Sequence, residues 1–306
     1  MFLRAPIAHF RDEAPFQRAY ATRPSWGHTR GMKALSKNSR FRPVVFLHVP
    51  KTAGTSLIQA LLAMKPWAHT LTHEGNITPE LLHSYASLSV DQRSDALIYG
   101  HAYHGIFQAF TDATLLTVVR DPEEQAVSNY LHILRSPDTH LYQDAQALSF
   151  RDFLHKHWQC FVFQSMSLDV PTSTCPIASR NDFFSRVPAI HSVLNRIDFV
   201  GTTDDLSGFM ATLSRAFGVP APPMPYLHRA VDLGASTAQI AALRASYRAL
   251  AEEPSLTHLV AEERALYQTA KRKAETLQRK YRNLMPWAWF KHLLPVKAYN
   301  LEPSHD

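Results

Sequence analysis

The sequence predicts an α/β protein of three layers, with a central, mostly parallel sheet flanked by helices. Two short apolar runs, each taken with the residues just after it, carry that prediction. Val44–Leu47 (VVFL) and Thr114–Val119 (TLLTVV) lack the apolar-polar alternation of a half-solvated strand, as expected for strands covered on both faces. Each leads into residues that start a helix, and this β-then-α order builds parallel sheets. A chain of 306 residues, 45% of them apolar, can also bury one sizeable core.

The first run ends at Pro50. From Leu57 the apolar residues Leu57, Ile58, Leu61 and Leu62 form the one-sided stripe of a helix packed on a sheet. Between them lie Lys51, Thr52, Ala53, Gly54, Thr55 and Ser56. A helix start leaves N–H groups unpaired and carries partial positive charge, so a loop feeding into one is a natural anion site. Gly54 would let an anion approach the backbone, Ala53 adds little bulk, and Lys51 with the hydroxyls of Thr52, Thr55 and Ser56 supplies donors. The cluster suits phosphate or sulfate. The plainer alternative is a simple strand-to-helix turn in which Gly54 relieves strain and Thr55 or Ser56 caps the helix. A nucleotide-hydrolysing Walker loop would place lysine after its second glycine, whereas Lys51 precedes Gly54.

The second run leads into Arg120, Asp121 and Pro122. Asp121 is a good N-cap and Pro122 a good first helical residue, so a helix is expected to start there and run through Ser128 and Leu131. Arg120 then stands at the carboxyl end of a strand, where open α/β sheets place their ligands. A guanidinium there can grip phosphate with two parallel hydrogen bonds, and Ser128 can add a hydroxyl. The alternative is a helix-capping turn with an unrelated serine. A third short strand, Leu97–Tyr99, is followed by Gly100 and His101. Histidine titrates near neutrality and is the usual group for accepting a proton from a hydroxyl. His104 is its main rival, on a helix expected over 103–110, and Glu74 is the carboxylate alternative. His48 lies in the apolar strand and reads as a packed ring.

The segment His48–Leu57, HVPKTAGTSL, resembles the 5′-phosphosulfate loop of sulfotransferases that use 3′-phosphoadenosine 5′-phosphosulfate (PAPS). It is most similar to that of carbohydrate sulfotransferases related to heparan sulfate and uronyl 2-O-sulfotransferases, whose loop reads like PKTGGTS. Ala53 replaces the first of the two glycines, a change the loop is expected to tolerate. Arg120 with Ser128 is similar to the family's 3′-phosphate-binding motif. The resemblance covers residues 43–230 in outline and implies a P-loop-like version of the three-layer fold. It further implies PAPS as sulfuryl donor, a carbohydrate or other hydroxyl-bearing acceptor, and His101 as catalytic base, since a histidine after glycine plays that part in the family. Lys51 and the loop amides would stabilise charge on the departing phosphate, with no metal required. The rival classes are a P-loop kinase using ATP with Mg²⁺ and a noncatalytic nucleotide-binding protein.

Charge divides the chain. Residues 1–42 hold nine Lys/Arg against two acids, and 264–297 hold nine against Glu275 alone. Residues 43–263 carry 14 basic and 21 acidic residues, so the formal charge of +6 belongs to the two ends. This pattern argues against a basic nucleic-acid-binding core. It predicts a basic N-terminal extension (1–42), a catalytic domain (43–263) and a basic helical C-terminal extension (264–306). Trp287, Trp289, Phe290, Leu293 and Leu294 beside Lys291 and Lys297 could touch a membrane surface or pack on the domain. No apolar stretch is long enough to span a bilayer, MFLRAPIAHF has no continuous apolar leader, and a cytoplasmic, bacterial enzyme is expected. Cys160 and Cys175 are too few for a disulfide framework, and without HExxH or paired CxxC spacing no zinc site is expected.

Further along, a helix is expected over Asn181–Asn195, a strand end at Phe199–Gly201 and an apolar-striped helix over Asp204–Phe217. The FVG strand followed by such a helix also resembles the same sulfotransferases. Pro220–Pro225 reads as a loop leading to His228 and Arg229, a loose match to the segment that closes over the cofactor. Ala235–Arg282 should be mostly helical, interrupted near Pro254.

Overall fold

The computed structural model describes residues 42–65, 67–72, 75–101, 109–110, 113–170, 176–224 and 234–283. Glu74, His104, Cys175, His228 and Arg229 lie outside them, as do residues 103–108 of the helix expected over 103–110, most of the N-terminal segment and the aromatic cluster after 283.

Five strands form one sheet in the order β2-β3-β1-β4-β5, and every neighbouring pair is parallel. They are β1 (Val44–Leu47), β2 (His69–Leu71), β3 (Ala96–Gly100), β4 (Thr114–Val119) and β5 (Phe199–Thr202). β1 is central, pairing Val44 with Leu97 on one side and with Thr114 on the other. The four residues of β1 are buried throughout because successive side chains enter opposite cores. Val44 and Phe46 join Leu97, Leu116 and Val118 on one face, beneath α1 (Gly54–Met64) and α9 (Leu206–Phe217). Val45 and Leu47 join Ile98, Leu115 and Val119 on the other face, which most of the remaining helices cover. This is the expected three-layer α/β architecture.

The remaining helices are α2 (Pro79–Ser87), α3 (Val90–Arg93), which buries no residue, α4 (Pro122–Ile133), α5 (Tyr142–Ala147), α6 (Phe150–Lys156), α7 (Phe163–Asp169), α8 (Arg180–Arg196), α10 (Thr237–Ala251) and α11 (Thr257–Tyr281), whose Leu277 and Tyr281 reach the first-face core. The expected helix over Asn181–Asn195 is α8. Asp204–Phe217 divides into a short 3₁₀ turn, Thr203–Asp205, and α9. The break near Pro254 separates α10 from α11.

One expected boundary is corrected. A division after residue 263 would cut α11 in two, and Leu266, Tyr267 and Ala270 beyond it are buried in the core. The segment through Tyr281 therefore belongs to the domain. The segment resembles an appendage in the sequence because most of its basic residues lie on the outer face of an amphipathic helix, while Lys273 reaches inward to the Leu194 and Ile197 carbonyls. Among the described residues, no helix is long and apolar enough to cross a membrane.

Candidate functional site

The chain passes from β1 to β2 and β3 on one side, then returns to β4 and β5 on the other. The order therefore reverses at β1, and the carboxyl ends of β3, β1 and β4 flank the crevice where such sheets bind ligands. His101, the Lys51 loop and Arg120 follow those three strand ends.

The loop after β1 has an unusual backbone. Lys51 and Ala53 both have positive φ, 65° and 61°. For residues with a Cβ this conformation costs about 1–2 kcal/mol each. Ala53 is the N-cap of α1 and has no side-chain oxygen with which to cap it. The helix starts at Gly54, inside the stretch expected as loop, and the Leu57 amide donates to the Ala53 carbonyl at 3.0 Å. Neither Thr55 nor Ser56 is the cap. A helix start in general leaves its first N–H groups without i→i−4 carbonyl partners.

Tertiary contacts compensate for this strain. The Thr52 hydroxyl donates to the Val49 carbonyl at 2.7 Å, and Thr52 is fully buried, so its side chain serves the loop itself. The position of Gly54 is decided by His48. A Cβ on Gly54 would lie 1.9 Å from the His48 ring, so glycine is needed there to seat the imidazole. His48 is the packed ring expected from the sequence, although β1 ends one residue before it. Its ring stacks on His101 with 4.4 Å between centroids and lies 5.8 Å from Phe46. Burial, then the neighbouring His101 and Lys51, hold its pKa well below the usual histidine value, so it is neutral at pH 7.

His101 is oriented from several directions. Its amide donates to the Gly75 carbonyl at 2.8 Å, and its own carbonyl accepts from the Ile77 amide at 2.9 Å. Gly100, at φ 151°, lies so close to that strip that a Cβ would meet the Gly75 carbonyl oxygen at 2.6 Å. The His101 Nδ1 is 2.9 Å from the His48 carbonyl. A carbonyl oxygen can only accept, so Nδ1 carries the proton and Nε2 presents a lone pair. Burial lowers the His101 pKa, the bond to His48 opposes this and Lys51 adds to it, leaving the ring neutral near pH 7. A neutral imidazole with a fixed tautomer is the form a general base needs. Beside it is a cavity of about 90 Å³ lined by His48, Pro50, His101, Ser167 and Val170.

The turn after β4 is built as the sequence predicts. Asp121 caps α4, accepting from the Glu123 and Glu124 amides at 3.0 and 3.3 Å, and Pro122 is the first helical residue. Arg120 is brought against the β1 loop, its guanidinium donating to the Lys51 carbonyl at 3.3 Å. A second bond, to Glu124, is also long at 3.4 Å, while Arg244 of α10 takes the other Glu124 oxygen at 2.5 Å. Charge-assisted bonds are usually about 2.7–2.9 Å, so the guanidinium is not locked into a bidentate pair and can turn to another anion. Its backbone is held more firmly, donating to the Gln164 side-chain oxygen at 2.6 Å and accepting from the Gln164 nitrogen at 2.8 Å.

Ser128 is half-buried two helical turns along α4, at four-residue spacing from both Glu124 and His132. His132 is not among the residues expected from the sequence, although its spacing from Ser128 was a usable signal. Burial, then Lys51 and Arg135, push its pKa down to about 4. Lys51 is itself lowered to about 8 by burial, then by Arg120 and Arg135. Burial is the larger cause and the two arginines add to it, so an anion bound beside Lys51 would favour its ammonium form.

Among the described residues, no group of three or more His, Cys, Asp or Glu side chains could hold a metal ion. Cys160 is buried, its thiol pushed up to about 12 by desolvation, so it is unreactive as a nucleophile. No known family model, curated protein or solved structure matches the chain.

Proposed function

We propose that this crevice binds PAPS and that the protein transfers its sulfuryl group to a hydroxyl, with a carbohydrate as acceptor. One observation carries the reading: a lysine loop, an arginine and a proton-accepting histidine follow three adjacent parallel strand ends, with Arg120 touching the backbone of Lys51. PAPS would supply the sulfuryl group, its sulfur-oxygen bond to the 5′-phosphate breaking as the acceptor oxygen bonds to sulfur.

The chain's own residues divide the remaining work. His101 accepts the acceptor's hydroxyl proton at Nε2, a contribution of about 10² to 10⁴ in rate. Lys51 and the amides of Gly54, Thr55 and Ser56 hold the 5′-phosphate and oppose its growing negative charge, worth about 10² to 10³ for a preorganised donor. Arg120 and Ser128 hold the 3′-phosphate. Lys51 provides positive charge where a metal would otherwise be needed. The His48 ring, by lying on Gly54 and against His101, ties the donor loop to the base.

Calorimetric titration with adenosine 3′,5′-bisphosphate and with ATP, each with and without Mg²⁺, tests the reading. Magnesium-independent binding of the bisphosphate, together with transfer of labelled sulfate from PAPS to a panel of glycans, is expected. Magnesium-dependent ATP binding with phosphate transfer would assign a kinase. Bisphosphate binding with no transfer to glycans, lipids or phenols would leave a noncatalytic nucleotide-binding protein.

A further inference from the structure

Helix α7 begins at a position that cannot cap it. Val162 has no side-chain acceptor, yet the Gln164 and Ser165 amides of the first turn are both satisfied. The acceptor is Glu263, far along the chain on α11, whose two carboxylate oxygens take those amides at 2.9 and 3.2 Å and also accept the Ser165 hydroxyl. Glu263 is 1% exposed. Burying a carboxylate is costly, and desolvation pushes its pKa up to about 7 against the pull of its hydrogen bonds. A leucine there would leave the Gln164 and Ser165 amides and the Ser165 hydroxyl buried without an acceptor, so the carboxylate is held in place by the donors it satisfies.

The contacts of α7 show its use. The Gln164 side chain grips the Arg120 backbone through both its oxygen and its nitrogen, while Ser167 and Val170, three and six residues further on, line the cavity beside His101. One short helix therefore borders both the arginine and the base. We propose that Glu263 is a positioning residue, pinning the first turn of α7 so that Gln164 fixes Arg120 and the following turn fixes the wall facing His101. The link to nucleotide affinity rests on the proposed function; the link to Arg120 does not.

Amide hydrogen exchange by NMR, read beside calorimetric binding of adenosine 3′,5′-bisphosphate, tests both links. In Glu263→Gln the amides of Gln164, Ser165 and Arg120 should exchange about tenfold faster, the loss of one buried hydrogen-bond acceptor, with Val118 of β4 unchanged as the internal control. Bisphosphate affinity should weaken by a similar factor. Gln164→Ala cuts the chain one step later and should accelerate Arg120 while leaving Ser165 as in the wild type. If Glu263→Gln does not fold, unchanged Arg120 exchange in Gln164→Ala alone still overturns the proposal. Exchange at Arg120 that stays at the wild-type rate in the variants that fold would overturn the proposal. A wild-type protein that does not bind the bisphosphate would remove the functional reading, while the exchange rates still judge the role of Glu263.

Discussion

The loop after β1 and the turn after β4 each carry a strand into a helix on the same edge of the sheet, yet they are held by different forces. At Arg120 the turn is stabilised by its own neighbours: Asp121 caps, Pro122 presets the first helical φ, and both lie within two residues of the arginine. At Lys51 the local rules are broken. Two residues with side chains sit at positive φ, the N-cap is alanine, and the glycine is fitted under an imidazole. The helix start after Arg120 follows local rules even though Gln164 also holds the Arg120 backbone, whereas the Lys51 loop persists only because the tertiary structure over-determines it. Strain held in this way is typical of positions shaped for a ligand rather than for folding.

On the proposed function the Lys51 side would carry the chemistry and the Arg120 side the placement, and substitutions can break that division. The largest effect expected is from His101→Ala, which should lower turnover by about 10² to 10⁴ while leaving bisphosphate affinity within a few-fold. Arg120→Ala should do the reverse, so equal losses in the same parameter from the two variants would erase the distinction. Next comes the pH dependence of Lys51. Its ammonium form dominates below a pKa of about 8, so bisphosphate affinity should fall as pH rises through that value, by up to about tenfold per unit. Lys51→Arg should abolish the alkaline fall.

Smaller effects probe the backbone. Gly54→Ala drives a methyl into the His48 ring and should cost about 1–3 kcal/mol in urea denaturation, with the His101 ring resonances shifted as its stacking partner moves. Asp121→Ala removes a cap and should cost about 1 kcal/mol, with His101 undisturbed. The smallest change is Ala53→Gly. Relief of the left-handed alanine, offset by the greater freedom of glycine in the unfolded chain, should raise stability by no more than about 1 kcal/mol. A loss of stability there would show that the loop is not strained.

Legibility in the sequence divides along the same line. The runs Val44–Leu47 and Thr114–Val119 announce buried strands because burial on both faces removes polar alternation, and the Asp121-Pro122 start is readable because capping is a contact between near neighbours. The three-residue β2 is too short to show a period. Residues after 263 read as a basic appendage because composition counts the charged face of α11 and not the apolar face it buries. At the site, the residue types and positions of Lys51, His101 and Arg120 all point to chemistry. Their meeting is not readable from sequence, nor is the proximity of His132 to Lys51, which is distant along the chain.

The sequence by itself determined the strand-helix alternation and the residue types at three strand ends, because those depend on periodicity and on contacts within a few residues. Only the tertiary structure decided that the His48 ring would lie over Gly54, that the His48 carbonyl would fix the His101 tautomer, and that Glu263 would cap a helix almost a hundred residues upstream. Those are hydrogen bonds and contacts between distant segments. Their partners are chosen by how the sheet brings segments together and by the cost of leaving a buried polar group unpaired.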